Sequence, residues 1–302
     1  MRALLLFNPN ATTTDQTVGE TVAAILAEGT DLDVRPTKQR GHATHLAAGA
    51  VHEGVDVVFA LGGDGTANEV LQALAGTPVA LGVLPGGSTN VLARALGLPN
   101  DPVEASRRML EYVASGRRRT IALGRVGARY LGFNAGFGFD AAVVRHVEQH
   151  ERRKRYLRQG AFVLGTGIEW FTGSGRDRPA TMLRLPDGTS RGPYSVTIVA
   201  NTDPYTYLRS RPMRVHPQAS FDTGLDLIAL PPMPTPRLLR LLWRVFHDAS
   251  HIELDHVDHF HDLDAFELTN PEPQPLMVDG DYAGEHRTAR FSAVRDALTV
   301  LA

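Results

Sequence analysis

Cysteine is absent from this sequence of 302 residues, which excludes disulfide bonds and thiolate metal sites. Long apolar runs are absent too. Residues 3–7 form an apolar start of only five residues without a cleavage pattern, and no stretch approaches the roughly 18 to 20 residues that span a bilayer. The 31 Lys and Arg residues against 33 Asp and Glu residues leave no positive excess for nucleic acid. We therefore expect a cytoplasmic protein with no nucleic-acid partner.

The common nucleotide-binding motifs are also missing. The sequence has no Gly-x-x-x-x-Gly-Lys-Ser/Thr loop, no Gly-x-Gly-x-x-Gly dinucleotide fingerprint, and neither the His-Arg-Asp nor the Asp-Phe-Gly motif of kinases. A nucleotide site in this chain therefore has to hold phosphate without the lysine that the first motif supplies.

A glycine-rich loop is present instead. Residues 62–66 read Gly-Gly-Asp-Gly-Thr, between a strand-like apolar run at 55–61 and a helical pattern at 68–74. Glycines let backbone N–H groups approach an anion, the helix presents its positive N-terminal end, and Asp64 can handle a metal or a proton. The segment predicts a triphosphate site, and the alternative is a tight strand-to-helix turn.

Two further strand-loop-helix junctions flank this loop. Residues 3–7 form a buried-strand run before the polar loop 8–14, and residues 79–84 lead into Pro-Gly-Gly-Ser-Thr-Asn at 85–90. Successive units of this kind imply a parallel sheet, whose loops gather at the carboxyl ends of the strands. We therefore expect the three loops to line one crevice.

Seven segments match a known family in order along most of the chain. They are Asn8-Pro9, Thr37 with Gly41-His42-Ala43, and residues 62–69, 85–90, 136–141, 222–226 and 278–281. These segments resemble the diacylglycerol kinase catalytic family, which includes bacterial lipid kinases and sphingosine kinases and shares a superfamily with NAD kinases. Three departures are Ala11-Thr12-Thr13 in place of Ser-Gly, Ser88 in place of Thr, and Asp281 in place of the Glu that the family is thought to use as base.

The predicted architecture is α/β, with two domains. A length of 302 residues with 43% apolar content suffices for two cores, and beyond residues 117–124 the pattern turns to short β runs. We expect a Rossmann-like three-layer nucleotide-binding domain with a parallel sheet over residues 1–122. The resemblance implies a β-sandwich lipid-substrate domain over 123–290, with the C-terminal segment 291–302 returning to the first domain and the cleft between them.

The resemblance implies an ATP-dependent lipid kinase that transfers the γ-phosphoryl group to a hydroxyl of diacylglycerol, a sphingoid base or a related lipid. ATP and Mg²⁺ are the expected cofactors. The alternatives are an NAD kinase and a catalytically weak nucleotide- or lipid-binding homologue, the second because of Asp281. Segments 85–90 and 136–141 favour the lipid kinases over the NAD kinases.

Two aspartates carry the predicted chemistry. Asp64 would hold the nucleotide-bound Mg²⁺, or alternatively cap the helix at Asn68. Asp281 would take the acceptor's hydroxyl proton, or alternatively serve the Asp-Gly turn of a hairpin. The resemblance implies a structural Mg²⁺ on Asp222 and the carbonyl of Leu225, and the alternative is a solvated turn. The expected nucleotide contacts are Asn8, Pro9, Asn10, Thr12, Thr37, Gly62, Gly63, Gly65, Thr66, Asn68, Glu69 and Ser88.

The remaining candidates concern the surface. Five histidines lie close together at positions 247, 251, 256, 259 and 261, and we expect exposed positions rather than a zinc site. A lipid acceptor requires contact with a membrane surface, at the inner face for a cytoplasmic protein. Two basic, apolar segments at 145–158 and 237–246 are candidates, and each is equally compatible with a helix that packs on the sandwich and leaves its arginines in solvent. Whether the protein forms a homodimer is left open by the sequence.

Overall fold

The computed structural model describes residues 1–9, 11, 14–138, 180–208 and 210–302. The expected contacts Asn10 and Thr12, the end of the 136–141 motif and the basic segment 145–158 lie outside these residues. The chain forms two compact units, Met1–Leu123 with Arg295–Ala302, and Gly124–Val294. No helix within the described ranges is long and apolar enough to cross a membrane.

The first unit is a parallel sheet with helices packed in pairs. Its strands are β1 (Arg2–Phe7), β2 (Asp31–Pro36), β3 (Val57–Gly62) and β4 (Ala80–Pro85). Its helices are α1 (Gln16–Ala27), α2 (His42–Glu53), α3 (Asp64–Leu74), α4 (Val91–Ala95) and α5 (Pro102–Ser115). The strand order is β4-β3-β1-β2, and the C-terminal Val300 pairs in parallel beside β4. Helix α1 packs on α5, and α2 packs on α3.

The hydrophobic pattern accounts for this arrangement. Strands β3 and β4 are buried at every residue, as expected for parallel strands covered by helices on both faces. Strand β2 lies at the edge and is largely exposed. Helix α1 begins where the Asp15 carboxylate accepts the N–H of Val18, and α5 begins where the Asp101 carboxylate accepts two N–H groups ahead of Pro102.

The second unit is mainly antiparallel. Strand β5 (Arg119–Val126) leads into it, and its other strands are β6 (Arg129–Leu131), β7 (Asn134–Gly138), β8 (Thr181–Arg184), β9 (Ser190–Tyr194), β10 (Val196–Ala200), β11 (Thr206–Leu208), β12 (Arg211–Met213), β13 (Leu225–Leu230), β14 (Asp258–Leu263), β15 (Ala265–Val278) and β16 (Asp281–Val300). Helix α6 (Thr235–His247) and a 3₁₀ turn (Ser250–Glu253) precede β14.

The main strand order of this unit is β14-β13-β10-β7-β15-β16, with β8 and β9 added beside β15. Strands β15 and β16 form a long hairpin in which Phe266 and Phe291 are paired in register and stack at 5.1 Å between ring centroids. The predicted fold class is confirmed: an α/β unit with a parallel sheet is followed by an antiparallel β-rich unit. The nucleotide and lipid roles expected of the two domains stay predictions.

Candidate functional site

The strand order of the first unit creates a switch point between β1 and β3. From β1 the chain passes through α1 to β2 on one side, and then through α2 to β3 on the other side. In open α/β sheets, ligands bind at the carboxyl ends of the strands where the order reverses in this way. The loops that follow β1 and β3 begin at Asn8 and Gly63, so two of the predicted nucleotide loops flank this point.

Backbone hydrogen bonds hold the ends of neighbouring strands together at this edge. The N–H of Asn8 donates to the carbonyl of Leu61 at 3.0 Å, and the N–H of Thr37 donates to the carbonyl of Phe7 at 2.8 Å. Thr37 is buried and Pro9 is exposed. Asn8, Pro9 and Thr37, the predicted nucleotide contacts that follow β1 and β2, therefore lie along the same edge of the sheet as the glycine loop.

The two glycine-rich loops pack backbone against backbone. The N–H of Gly86 donates to the carbonyl of Gly62 at 2.7 Å. A Cβ atom added to Gly86 would lie 2.9 Å from the Cα of Gly62, and one added to Gly87 would lie 2.6 Å from the Cα of Gly63. No side chain fits at such distances, so these glycines are required for the two loops to approach one another.

Gly65 differs from the other glycines of this site. It is exposed, and a Cβ atom added to it would meet nothing within 4 Å. Helix α3 begins at Asp64, earlier than the predicted helical pattern at 68–74, so Gly65 lies in its first turn. The N–H groups of a first turn have no acceptor within their own helix and point toward an anion at the N-terminal end. Gly65 is the glycine of this loop with open space around it.

Asp64 contacts a neighbouring helix rather than capping its own. Its Oδ2 accepts the hydroxyl of Thr89 at 2.8 Å, and its Oδ1 accepts the N–H of Leu92 at 3.2 Å, at the start of α4. The predicted alternative, a cap on the helix at Asn68, is wrong, because Gly63 holds the N-cap position of α3 and makes no side-chain cap bond.

The electrostatic environment of Asp64 suits a cation. Burial raises the pKa of the Asp64 carboxyl, while the Thr89 hydroxyl and the backbone N–H groups of α4 lower it. The Thr89 hydroxyl and the N–H groups of Asn90, Val91 and Leu92 do not fully offset the burial, so a cation would stabilise the charged form of the carboxyl. Carboxylate and hydroxyl oxygens are donors that Mg²⁺ takes when phosphates and water complete its shell, so these residues fit the ion.

Several of the other predicted contacts support the loop from within. Glu69 accepts the N–H groups of Gly41 at 2.8 Å and Ala43 at 3.0 Å, and so caps α2. Asn68 is buried and accepts the side-chain amide of Gln72 at 2.8 Å. Thr66 is also buried, and its hydroxyl occupies the space that a Cβ of Gly62 would need. Whether these residues also touch a nucleotide stays a prediction.

Two residues of the Pro-Gly-Gly-Ser-Thr-Asn loop were not among the predicted contacts. Asn90 adopts a left-handed conformation with φ of 50°, and its side chain bonds both the N–H and the carbonyl of Gly87, at 2.8 and 3.0 Å. Thr89 holds Asp64 as described above. Ser88, which was predicted, is exposed. The signal for Asn90 was available, since Asn is the residue other than Gly that most readily takes this conformation.

The hairpin between β15 and β16 separates two aspartates with different environments. Asp279 and Gly280 have φ of 52° and 82°, and Val278 pairs with Asp281, so a two-residue turn closes the hairpin. Asp281 lies just after the turn, partly exposed, and its Oδ2 accepts the guanidinium of Arg129 at 2.6 Å. The alternative for Asp281 was a residue of the hairpin turn, but the two turn residues are Asp279 and Gly280. The role of Asp281 as base stays a prediction.

Asp279 is buried and binds backbone. Its Oδ2 accepts the N–H of Gly132 at 2.7 Å, and its Oδ1 accepts the N–H groups of Phe133 and Asn134 at 2.9 and 3.0 Å. Burial raises the pKa of the Asp279 carboxyl to about 7, although the three N–H donors act in the opposite direction. Asp279 therefore ties the hairpin turn to the segment between β6 and β7.

The predicted structural metal site lies on the turn before β13. Asp222 is exposed, and Leu225 is buried at the start of the strand, where it pairs with Leu263. The N–H of Gly224 donates to the carboxylate of Asp262 at 2.6 Å. The oxygen donors match Mg²⁺ in type. Within the described ranges, however, no group of three or more Asp, Glu or His side chains is arranged to hold a metal.

The five histidines are not all exposed as expected: His247 and His261 are exposed, whereas the others are buried or partly buried. His251 is buried and bonds the carbonyl of Val215 at 2.8 Å, so the expectation is wrong for this residue. His261 bonds the buried carboxylate of Asp226 at 2.8 Å, and His259 lies 3.6 Å from the other oxygen of that carboxylate. The tract therefore supplies partners for a buried acid as well as surface residues.

Comparison with known proteins agrees with this geometry. The diacylglycerol kinase catalytic domain family matches residues 2–126. A diacylglycerol kinase of Mycobacterium tuberculosis is 32% identical over 273 residues, covering 86% of this chain and 81% of that protein. A diacylglycerol kinase of Bacillus subtilis is 28% identical over 291 residues, covering 94% and 90%.

Solved structures share the fold. The crystal structure of a diacylglycerol kinase from Bacillus anthracis superimposes with a TM-score of 0.72 at 18% identity, covering 99% of this chain and 96% of that one. An NAD kinase from Archaeoglobus fulgidus in complex with ATP gives a TM-score of 0.55 at 13% identity, covering 100% and 94%. Together with the sequence relatives, these findings show that the chain belongs to the diacylglycerol kinase catalytic domain family of lipid kinases.

Proposed function

We propose that this protein transfers the γ-phosphoryl group of ATP to the hydroxyl of diacylglycerol or a chemically related lipid. The observation that carries the proposal is the β1/β3 switch point, where the Gly-Gly-Asp-Gly-Thr loop, the open Gly65 and the half-buried Asp64 lie at one edge of the sheet. Family membership supports the lipid acceptor, and the fold-related NAD kinase in complex with ATP supports the donor.

The residues of the first unit would bind and orient the donor. The N-terminal end of α3, with the exposed N–H of Gly65, would face phosphate oxygens. Asp64 and the Thr89 hydroxyl would hold the metal ion. Mg²⁺ supplies neutralisation of the charge that develops on the phosphate oxygens during transfer. Asn90 would keep the loop 85–90 in position through its bonds to Gly87, and Glu69 would tie the start of α2 to α3.

The residue proposed as base is Asp281. As the acceptor oxygen forms its bond to the γ-phosphorus and the bond to the leaving ADP oxygen breaks, the hydroxyl proton passes to the Asp281 carboxylate. The guanidinium of Arg129, 2.6 Å from that carboxylate, orients it. An aspartate reaches one methylene less far than the glutamate implied by the family resemblance, which keeps the catalytically weak homologue as the second candidate.

A panel of acceptors separates the candidate functions. Labelled ATP is offered with a short-chain diacylglycerol, with sphingosine and with NAD, and phosphate transfer is measured for each. The proposal predicts transfer to the diacylglycerol. Transfer to NAD alone would select the NAD kinase alternative, and transfer to sphingosine alone would correct the lipid class. Nucleotide binding without any transfer would select the weak homologue.

Asp64→Asn tests the mechanism with a matched control. Asp101 also accepts backbone N–H groups at a helix start, but it is exposed and lies at α5. If Asp64 holds the metal, Asp64→Asn lowers kcat by about 100-fold or more, the range for loss of one electrostatic group. Both Asp64→Asn and Asp101→Asn should cost only about 1 kcal/mol of folding stability, as capping residues do. Equal kcat in the two variants would remove Asp64 from the mechanism.

A further inference from the structure

Helix α6 carries an apolar stripe that no described part of the chain covers. Its inner side packs into the second unit through Leu238, Leu241 and Val245. Its outer side presents large apolar side chains at positions i, i+3, i+4 and i+7 of one face. The members of this apolar stripe are Leu239, 59% exposed, Leu242, 40%, Trp243, 59%, and Phe246, 45%.

A basic edge lies on the side of α6 away from the centre of the apolar stripe. At about 100° per residue, Arg240 borders the stripe next to Trp243, whereas Arg237 lies almost opposite the centre of the stripe. Helix α6 contains no acidic residue, and Arg237 and Arg240 are exposed and form no ion pair with any described residue. Arg244, in contrast, donates to the carbonyl of Ser250 at 3.2 Å. Burial lowers the pKa of His256, and the positive charges of Arg237 and Arg240 lower it further. The positive field of this edge is local, since the whole chain carries a net charge of −2.

We propose that α6 is an interfacial docking helix for an anionic lipid bilayer. The apolar stripe enters the boundary of the acyl chains, Arg240 meets lipid phosphates at its side, and Arg237 adds to the positive field near the surface. Aromatic and leucine side chains on one face with arginines on the other are the composition of helices that lie in the plane of a membrane. The proposed function gives this docking its use, because the acceptor is then a membrane lipid.

A second copy of the chain fits this surface less well. A stable protein interface buries about 1,200 to 2,000 Å² in total, and four side chains of one helix supply a small part of that area. A lipid surface has no such restriction, because it is extended, and its negative charge also attracts the arginines of α6.

Vesicle sedimentation tests the docking without nucleotide or acceptor lipid. The whole protein is mixed with phosphatidylglycerol vesicles or with phosphatidylcholine vesicles, and the bound fraction is measured at low and high salt. We expect stronger binding to the anionic vesicles, weakened by salt as screening predicts. The fluorescence of Trp243 should shift to shorter wavelength on binding. Since no phosphoryl transfer is involved, failure of the kinase assignment would leave this result unaffected.

Substitutions on α6 test whether this helix is the part of the protein that binds the vesicles. Replacing both Arg237 and Arg240 by Gln should weaken binding to anionic vesicles about 30-fold, the equivalent of about 1 kcal/mol for each charge. Leu242→Ser should weaken it about fivefold, since a half-exposed leucine gains about 1 kcal/mol on burial. The matched controls are Val34→Ser, at a residue 39% exposed on β2, and Arg107→Gln on α5, and neither should change binding.

Three outcomes would overturn the proposal. The first is an absence of binding to anionic vesicles by the wild-type protein. The second is binding by the double arginine variant, or by Leu242→Ser, equal to that of the wild type. The third is a wild-type dimer in light scattering that Leu242→Ser dissociates while vesicle binding is unchanged, because a second copy would then cover the stripe. Unfolding curves check that the exposed substitutions leave the fold intact.

Discussion

Replacing Asp279 by Ala should destabilise the second unit far more than replacing Asp281 by Ala at the other end of the same turn. The Asp279 carboxylate accepts three buried backbone N–H groups. Each buried donor left without a partner costs about 1 to 3 kcal/mol, so the loss is at least about 3 kcal/mol. Alanine at a φ of 52° adds about 1 kcal/mol.

The comparison residue is chosen because its structural role is small. Asp281 makes one ion pair with Arg129, and both side chains are about 30% exposed, at 28% and 30%. Pairs of this kind contribute about 0 to 1 kcal/mol. Asp279→Asn should fall between the two alanine variants, because its remaining oxygen still accepts the N–H groups of Phe133 and Asn134 and only the bond from Gly132 is lost.

Denaturant unfolding followed by tryptophan fluorescence is the appropriate assay. Trp243 lies on α6 of the second unit, so its fluorescence reports the unfolding of that unit. We expect Asp279→Ala to lose at least about 3 kcal/mol of unfolding free energy and Asp281→Ala to lose less than about 1 kcal/mol. Equal losses in the two alanine variants would refute the assignment of Asp279 as the residue that ties the turn to the segment between β6 and β7.

Three further predictions concern the site and its pH dependence. Gly65→Ala should stabilise the first turn of α3 by up to about 1 kcal/mol yet weaken ATP binding in a thermal-shift titration, and unchanged ATP affinity would place the nucleotide elsewhere. Asp281→Glu should keep or raise kcat and Asp281→Asn should lower it about 100-fold, whereas full activity of the Asn variant would exclude Asp281 as base. Burial lowers the pKa of His216 to about 3, so the unfolded chain binds the proton before the folded chain does, and stability is lost as the pH falls below about 6.5. Between pH 7 and pH 5 the unfolding free energy of the wild type should fall by about 2 kcal/mol more than that of His216→Gln in urea unfolding. Identical pH profiles of the two proteins would contradict this prediction.

The parallel sheet was predictable because its inner strands β1, β3 and β4 are continuous apolar runs followed by or ending at Asn, Gly or Pro, whereas the edge strand β2 is polar and largely exposed. Strand β3 is the run before the glycine loop, and β4 is the run before Pro85. Alternation and β-branched residues likewise indicated β10 and β13 in the second unit. The strand-like spacing of Asp258, His259 and His261 indicated β14. Strand β9 was not predicted, because its residues are polar and exposed and pairing with β8 holds them extended.

The start of α3 shows what local sequence does not contain. The glycines at 63 and 65 indicated a loop that continues to Asn68, yet the helix begins at Asp64. The Asp64 carboxylate finds its partners in Thr89 of the loop before α4 and in Leu92 of α4, 25 and 28 residues further along the chain. The Glu69 carboxylate likewise finds the N–H of Gly41, 28 residues earlier. Such tertiary partners override the local preference of glycine for loops, and no spacing within the segment reveals them.

The glycines of this loop perform two separate tasks, although the motif presents them together. A Cβ on Gly62 would collide with Thr66, so Gly62 is explained by packing whether or not a nucleotide binds, whereas a Cβ on Gly63 would make only an ordinary contact with Gly87, at 3.4 Å. Gly65 is explained by neither packing nor backbone conformation, because its surroundings are open and its φ is not positive. In the exposed first turn of a helix, alanine would be more stable than glycine. The loss of helix stability caused by glycine at this position is explained if the N–H of Gly65 has to come close to a ligand. Gly65→Ala therefore tests the phosphate site more directly than a substitution at any other glycine of the loop.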